Sequence, residues 1–96
     1  MPNKLQKFAE LNTFANTFAF HHELLEQGFP KKRKWHNEVF KNNNPIVVEL
    51  GCGRGEYTIG LSSNDTSKNY IGVDVKGNRI WTGAKHAIEN NMNHVA

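Results

Sequence analysis

Ninety-six residues, 38% of them apolar, with a net charge of +3 and a single cysteine, amount to one small domain's worth of globular chain. No disulfide can form within it, no apolar run approaches the length of a membrane span, the start lacks a signal-peptide apolar core, and there are no internal repeats. A cytoplasmic setting is the expectation.

In chain order, Leu5 to Glu10 predicts a short helix, with Phe8, Leu11, Phe14, Phe18 and Leu25 at roughly helical spacing. Asn12, Thr13, Asn16 and Thr17 are poor interior helix residues, so an irregular arm anchored by Phe14, Phe18, Phe20 and Phe29 is expected to follow. Gly28-Phe29-Pro30 breaks whatever precedes it. Lys31, Lys32, Arg33 and Lys34 form the basic cluster, Trp35 to Lys41 a short amphipathic turn, and Asn42-Asn43-Asn44-Pro45 a loop. Residues 46–50 predict a strand, 54–63 a helix, 69–74 a second strand and 77–91 a second helix, its inner face formed by Ile80, Trp81, Ala84 and Ile88. Gly77 and Asn78 are expected to cap that helix, and Asn93-His94-Val95-Ala96 reads as the first step of a third strand. Residues 1–45 hold seven Lys and Arg against four acids, while residues 46–96 hold five against five, so the whole excess precedes the first strand. The expected organisation is an N-terminal arm with a short helix and basic loop at 1–45 and, at 46–96, the N-terminal half of an α/β domain, because two strands and two helices are too few to close an α/β sheet.

The chemistry concentrates where the strands end. Ile46-Val47-Val48-Glu49-Leu50 reads as a buried parallel strand, and Gly51, Gly53 and Gly55 then allow a sharp turn that admits a ligand close to the backbone. The second strand ends at Asp74, about where an acid accepts hydrogen bonds from ribose hydroxyls in doubly wound folds. A dinucleotide loop wants a third glycine where this chain has Glu56, and a carboxylate there would repel a diphosphate. S-adenosylmethionine carries no phosphate, and Glu49 at the strand's end can attract its positively charged methionine portion. A nicotinamide cofactor is the alternative. Cofactor-binding candidates are therefore Glu49, Gly51, Cys52, Gly53 and Asp74. The apolar face of Val47, Leu50, Ile71 and Val73 is expected to lack part of its cover.

The stretch from Asn42 to Thr58, then Tyr70-Ile71-Gly72-Val73-Asp74-Val75-Lys76-Gly77-Asn78-Arg79-Ile80-Trp81-Thr82-Gly83-Ala84-Lys85, resembles the bacterial tRNA (guanine-N7)-methyltransferase family. The run from Lys76 to Lys85 is its specific part, and Lys4-Leu5-Gln6-Lys7-Phe8-Ala9-Glu10 resembles one branch of the family. The resemblance implies a Rossmann-like class I S-adenosylmethionine-dependent methyltransferase fold, here truncated after the second βα unit. It also implies methyl transfer to N7 of a guanine in the tRNA variable loop. Family members carry an acidic cofactor contact after strand three and a Pro-Asp-Pro-Trp-Pro-Lys-type motif that addresses the base. Both would lie beyond Ala96, so no catalytic residue is assigned here and the fragment by itself is expected to be inactive. Phe29-Pro30-Lys31-Lys32-Arg33-Lys34-Trp35 is not that motif, since it lacks the aspartate and precedes strand one.

Other residues take simpler readings. The basic cluster suits contact with tRNA phosphates, which reward positive charge without reading sequence, or a solvated loop. Cys52 has no visible base to activate it and reads as a small residue tolerated in the loop. His21, His22 and Glu23 are adjacent rather than ligand-spaced, His36, His86 and His94 are scattered, and no metal is expected. Lys76, Gly77, Asn78 and Arg79 stand at the mouth of the cofactor site, where they could line the adenine.

Overall fold

A computed structural model describes residues 2–18 and 33–96. Its elements are α1 (Lys4–Leu11), a π-helical turn (Trp35–Phe40), β1 (Ile46–Leu50), α2 (Glu56–Ser63), β2 (Asn69–Val73) and α3 (Gly77–Glu89). The expectations placed on Phe20, His21, His22, Glu23, Leu25, Gly28, Phe29, Pro30, Lys31 and Lys32 lie outside the described residues.

Each element starts and stops for a local reason. Asn3 caps α1 in a reciprocal box, its side chain accepting from Gln6 N–H while Gln6 accepts from Asn3 N–H, both at 2.9 Å. The helix ends at Leu11, where Asn12 and Thr13 begin. The turn over 35–40 closes on Lys41, which is left-handed at φ 58°. The helix expected over 54–63 begins at Glu56, because Gly55 at φ 79° cannot be part of a right-handed turn. The helix expected over 77–91 ends at Glu89. Asn91 is left-handed at φ 52°, and Met92 N–H donates to the Ala87 carbonyl at 2.8 Å, closing the helix end. Neither Gly77 nor Asn78 is its cap: Lys76 holds that position with no side-chain bond.

β1 and β2 pair in parallel, Ile46 opposite Asn69 through Leu50 opposite Val73. On the far side of β2, Val95 bridges Tyr70, with Tyr70 N–H donating to His94 at 2.7 Å and Gly72 N–H to Ala96 at 2.9 Å. The last residues therefore run as the expected third parallel segment, and β2 lies between it and β1. Asn69 is fully buried, its amide donating to Asn42 Oδ1 at 2.7 Å and to the Asn44 carbonyl at 3.2 Å. The asparagine loop is thus tied to the start of β2 rather than loose.

Side chains alternate across the strands; one face closes, and of the apolar side chains on the other only Ile71 is buried. Tyr70, Ala87 and Val95 form the buried cluster, with Val47, Ile59 and Met92 packed against it. The other face leaves Val48, Leu50 and Val73 exposed. This corrects two expectations: β1 is not buried on both sides, and the uncovered face contains Val48 in place of Val47, while Ile71 is buried. The inner face of α3 also differs, being Trp81, Gly83, Ala84 and Ala87, with Ile88 exposed. On that face Gly83 meets the loop after β1.

Helix α1 packs on α3. Glu10 Oε2 accepts from Trp81 Nε1 at 2.6 Å, and the Lys7 and Lys85 ammonium groups lie 5.0 and 4.8 Å from the Trp81 rings. A side chain at Gly77 would meet Phe8 and Leu11 of α1. Beyond the helix, Phe14 and Phe18 are half-buried, and Phe18 meets Trp35 edge to face at 5.5 Å.

Candidate functional site

β1 and β2 end side by side, so the loops that leave them share one corner. The first loop is left-handed at Gly51, Gly53 and Gly55, with φ of 66°, 57° and 79°. A Cβ added at Gly51 or Gly53 would meet nothing within 4 Å, so their backbone conformation requires glycine and the space beside them is open. Gly55 is different. Its Cβ would come within 3.6 Å of Gly83 Cα, and a Cβ on Gly83 would sit 2.7 Å from the Arg54 carbonyl. Helix α3 therefore presses on the loop backbone through two glycines.

Asp74, the residue after β2, clasps both loops. Its Oδ2 accepts from Gly53 N–H at 2.9 Å and its Oδ1 from Lys76 N–H at 2.8 Å. The Lys76 bond, then the Gly53 bond, hold its carboxyl below the usual carboxylate range, and the Arg79 charge adds to this. A carboxylate offers about four acceptor positions, so these bonds leave it capacity for a ligand donor. Glu49, at the end of β1, accepts through Oε1 from the hydroxyl of Thr58, a buried residue of α2.

The thiol of Cys52 lies against β2. A Cβ on Gly72 would be 2.9 Å from its Sγ, and Cys52 N–H donates to the Val73 carbonyl at 2.9 Å. Burial first, then the Asp74 and Glu49 charges, push the thiol up to about 11. Cys52 is accordingly a protonated packing group seated on Gly72, in keeping with its reading as an inert small residue of the loop. Glu49, Gly51, Cys52, Gly53 and Asp74 all come to this corner. Sequence reasoning missed Thr58, Gly72 and Gly83. Glycines inside a strand and inside a helix were the available signals for the last two, since such glycines mark close backbone approach.

The corner is open. A hollow of about 350 Å³ lies elsewhere, where Ser62, His86, Asn90, Met92 and His94 meet beyond the last turns of α2 and α3. Among the described residues no group of three or more His, Cys, Asp or Glu could hold a metal, and no helix is long and apolar enough to cross a membrane. Arg33 and Lys34, the described half of the basic cluster, are exposed.

Parallel strands joined through a helix, with a glycine loop after the first and a clasped aspartate after the second, define the opening βαβ unit of a class I methyltransferase-like fold. Residues 43–96 match the family described as "Putative methyltransferase", and the chain belongs to that methyltransferase family. A methyl donor, rather than a nicotinamide cofactor, follows from that membership. Glu56, the first residue of α2, sits where a diphosphate would need positive charge. Over 95 residues the chain is 50% identical to a protein of Bacteroides fragilis (strain YCH46) named tRNA (guanine-N(7)-)-methyltransferase, covering 98% of this chain and 38% of that one. Proteins of the same name from Porphyromonas gingivalis and Christiangramia forsetii are each 47% identical, covering 90% and 98% of this chain and 36% and 42% of theirs. The chain thus spans about two fifths of the length of these relatives. No solved structure gives a significant match.

Proposed function

We propose that this chain contributes the first half of the cofactor domain of a tRNA (guanine-N7)-methyltransferase, with residues 1–45 as its N-terminal arm and S-adenosylmethionine as the methyl donor. The observation that carries the reading is the 50% identity to the Bacteroides fragilis protein, which runs over 98% of the chain and so through the whole glycine corner. The chain has no Pro-Asp-Pro sequence, and we assign no target-base contact to its residues.

The corner fits the methyl donor in chemical kind. Open space beside Gly51 and Gly53 admits a ligand against bare backbone, and Asp74 keeps acceptor capacity for two ribose hydroxyls. Glu49 supplies a carboxylate for the ammonium of the methionine portion. Glu49, Gly51, Cys52, Gly53 and Asp74 would thus hold the cofactor, Cys52 doing so through its place in the loop backbone. When bound, S-adenosylmethionine would supply a methyl on a sulfonium for the lone pair of guanine N7, with S-adenosylhomocysteine as the leaving group. Glu49 and Asp74 would orient the donor at the carboxyl end of the strands, beside the bare backbone of Gly51 and Gly53.

On this reading the protein works in the cytoplasm on tRNA, and Lys31, Lys32, Arg33 and Lys34 contact its phosphates. Neutralising the four should weaken tRNA binding and flatten its salt dependence without touching cofactor affinity. The test of the whole is a chimera in which this chain replaces the corresponding part of the Bacteroides fragilis relative. It should form 7-methylguanosine in tRNA, scored by mass spectrometry, and Asp74→Ala should weaken S-adenosylmethionine binding by about 2 to 3 kcal/mol. A folded chimera that binds the donor yet leaves tRNA unmodified would overturn the proposal.

A further inference from the structure

Thr58 is the third residue of α2, in the first turn of a helix where a threonine hydroxyl often bonds back to a carbonyl of its own helix. Here it does not. Its hydroxyl crosses to β1 and donates to Glu49 Oε1, and the residue is only 5% exposed. The surroundings are built to keep it there. Gly72, opposite Glu49 in the strand register, has no side chain to fill the corner; a Cβ on it would lie 2.9 Å from Cys52 Sγ and 3.8 Å from Thr58 Oγ1. Cys52, Thr58 and the bare backbone of Gly72 thus pack together beside the carboxylate. Glu49 Oε2 has no protein partner among the described residues and is not among the buried unpaired atoms.

A half-buried glutamate on a strand end has several rotatable bonds, and left free it would spend most of its time in solvent. One oxygen tied to a buried hydroxyl removes most of that freedom and leaves the other oxygen as the open acceptor. We infer that Thr58 is a positioning residue: by holding Oε1 it presents Oε2 of Glu49 to the ammonium of the methionine portion of the cofactor, and so contributes to recognition of the amino-acid end of the ligand and not of its nucleoside end. This rests on the methyl-donor reading proposed above.

The division of the ligand supplies the test. S-adenosylhomocysteine carries the amino-acid end, whereas 5′-methylthioadenosine has the same adenosine and thioether without it. Equilibrium dialysis of the chimera with the Bacteroides fragilis relative against each, with circular dichroism to confirm equal folding, should show the following. Thr58→Val, which keeps the shape and removes the donor, weakens S-adenosylhomocysteine about fivefold to tenfold and leaves 5′-methylthioadenosine within twofold. Thr58→Ser, which restores the donor, returns the first affinity to within about twofold of the parent chimera. Glu49→Gln weakens the same ligand, and adding Thr58→Val to it costs nothing more, because both changes remove one arrangement. Equal weakening of both ligands in a folded Thr58→Val chimera would reduce Thr58 to a structural role and overturn the inference, as would unchanged binding of both. If the folded parent chimera bound neither ligand, the methyl-donor reading would fall and this inference with it.

Discussion

The two faces of the β1–β2 sheet come from the same short strands and meet opposite fates. On one, Val47 and Tyr70 close with Ile59 of α2 and Ala87 of α3, together with Met92 and Val95. On the other, Val48, Leu50 and Val73 remain 52%, 80% and 44% exposed. Nothing in Ile46-Val47-Val48 separates the faces, since all three residues are apolar and β-branched. Both helices lie on the side of Val47 and Tyr70, and that placement is why Val47 is packed while its neighbour Val48 is not. An apolar run states what can be buried; the path of the connecting helices states what is.

The sharpest test of that contrast is Tyr70→Ala. The ring is 4% exposed and its hydroxyl donates to Asp65 at 3.2 Å, so its removal should cost about 3 to 5 kcal/mol and abolish a cooperative thermal melt. An unchanged melt would mean that the covered face is not the core.

At the corner above the same face, the Cys52 thiol should resist labelling. Raised to about 11 from an ordinary value of 9.0, it should react with a disulfide reagent at pH 8 roughly a hundredfold more slowly in the folded chain than in denaturant. Rates that match in the two states would show that the thiol is not seated on Gly72.

Gly83→Ala probes the same corner from the helix side. Its Cβ would meet the Arg54 carbonyl at 2.7 Å, and the resulting overpacking should cost about 1 to 3 kcal/mol in chemical denaturation. Gly60→Ala, where a Cβ meets nothing within 4 Å, is the control and should not destabilise.

Acid should loosen the loops before neutral pH does anything. Asp74 is held low by the Lys76 and Gly53 N–H groups, and Asp65 is lowered to about 2, chiefly by its bond from Ser67. A carboxylate whose folded value is depressed contributes stability that is present above its unfolded value, near 4, and is lost as pH falls through the folded one. The melting temperature should therefore decline between about pH 4 and pH 2, and Asp74→Asn should shrink that decline. An acid limb of the same depth in Asp74→Asn would remove Asp74 as its source.

The smallest effect on stability belongs to the bare face. Val48→Thr with Leu50→Thr should change stability by no more than about 0.5 kcal/mol while reducing self-association in light scattering, because it removes an exposed apolar strip from an edge strand. A loss comparable to that of Tyr70→Ala would erase the distinction between the faces.

Much of the site was legible because its signals are local. β1 falls on residues 46–50 as its run of β-branched residues indicates, the alternate glycines of the loop are left-handed, and Asp74 stands directly after β2. The Glu56 spelling that disfavours a diphosphate is equally a matter of neighbouring residues. What stayed hidden joins residues far apart in the chain. Thr58 reaches Glu49 across the crossover, Cys52 rests on Gly72, Gly83 meets Arg54, and Trp81 is tied to Glu10 across 71 positions. Periodicity placed Ile88 on the inner face of α3, whereas the packed face runs through Trp81, Gly83, Ala84 and Ala87, with Gly83 against Arg54.

The sequence by itself determined the order of elements, the loop that must be glycine and the two acids that end the strands, because backbone propensity and positive φ act within a few residues. Only the tertiary structure decided which sheet face is covered, which carboxylate oxygen remains open and which glycines serve packing rather than turning. Those outcomes depend on distances between segments that meet only after the helices have crossed back over the sheet, and close packing at that point leaves room for one arrangement.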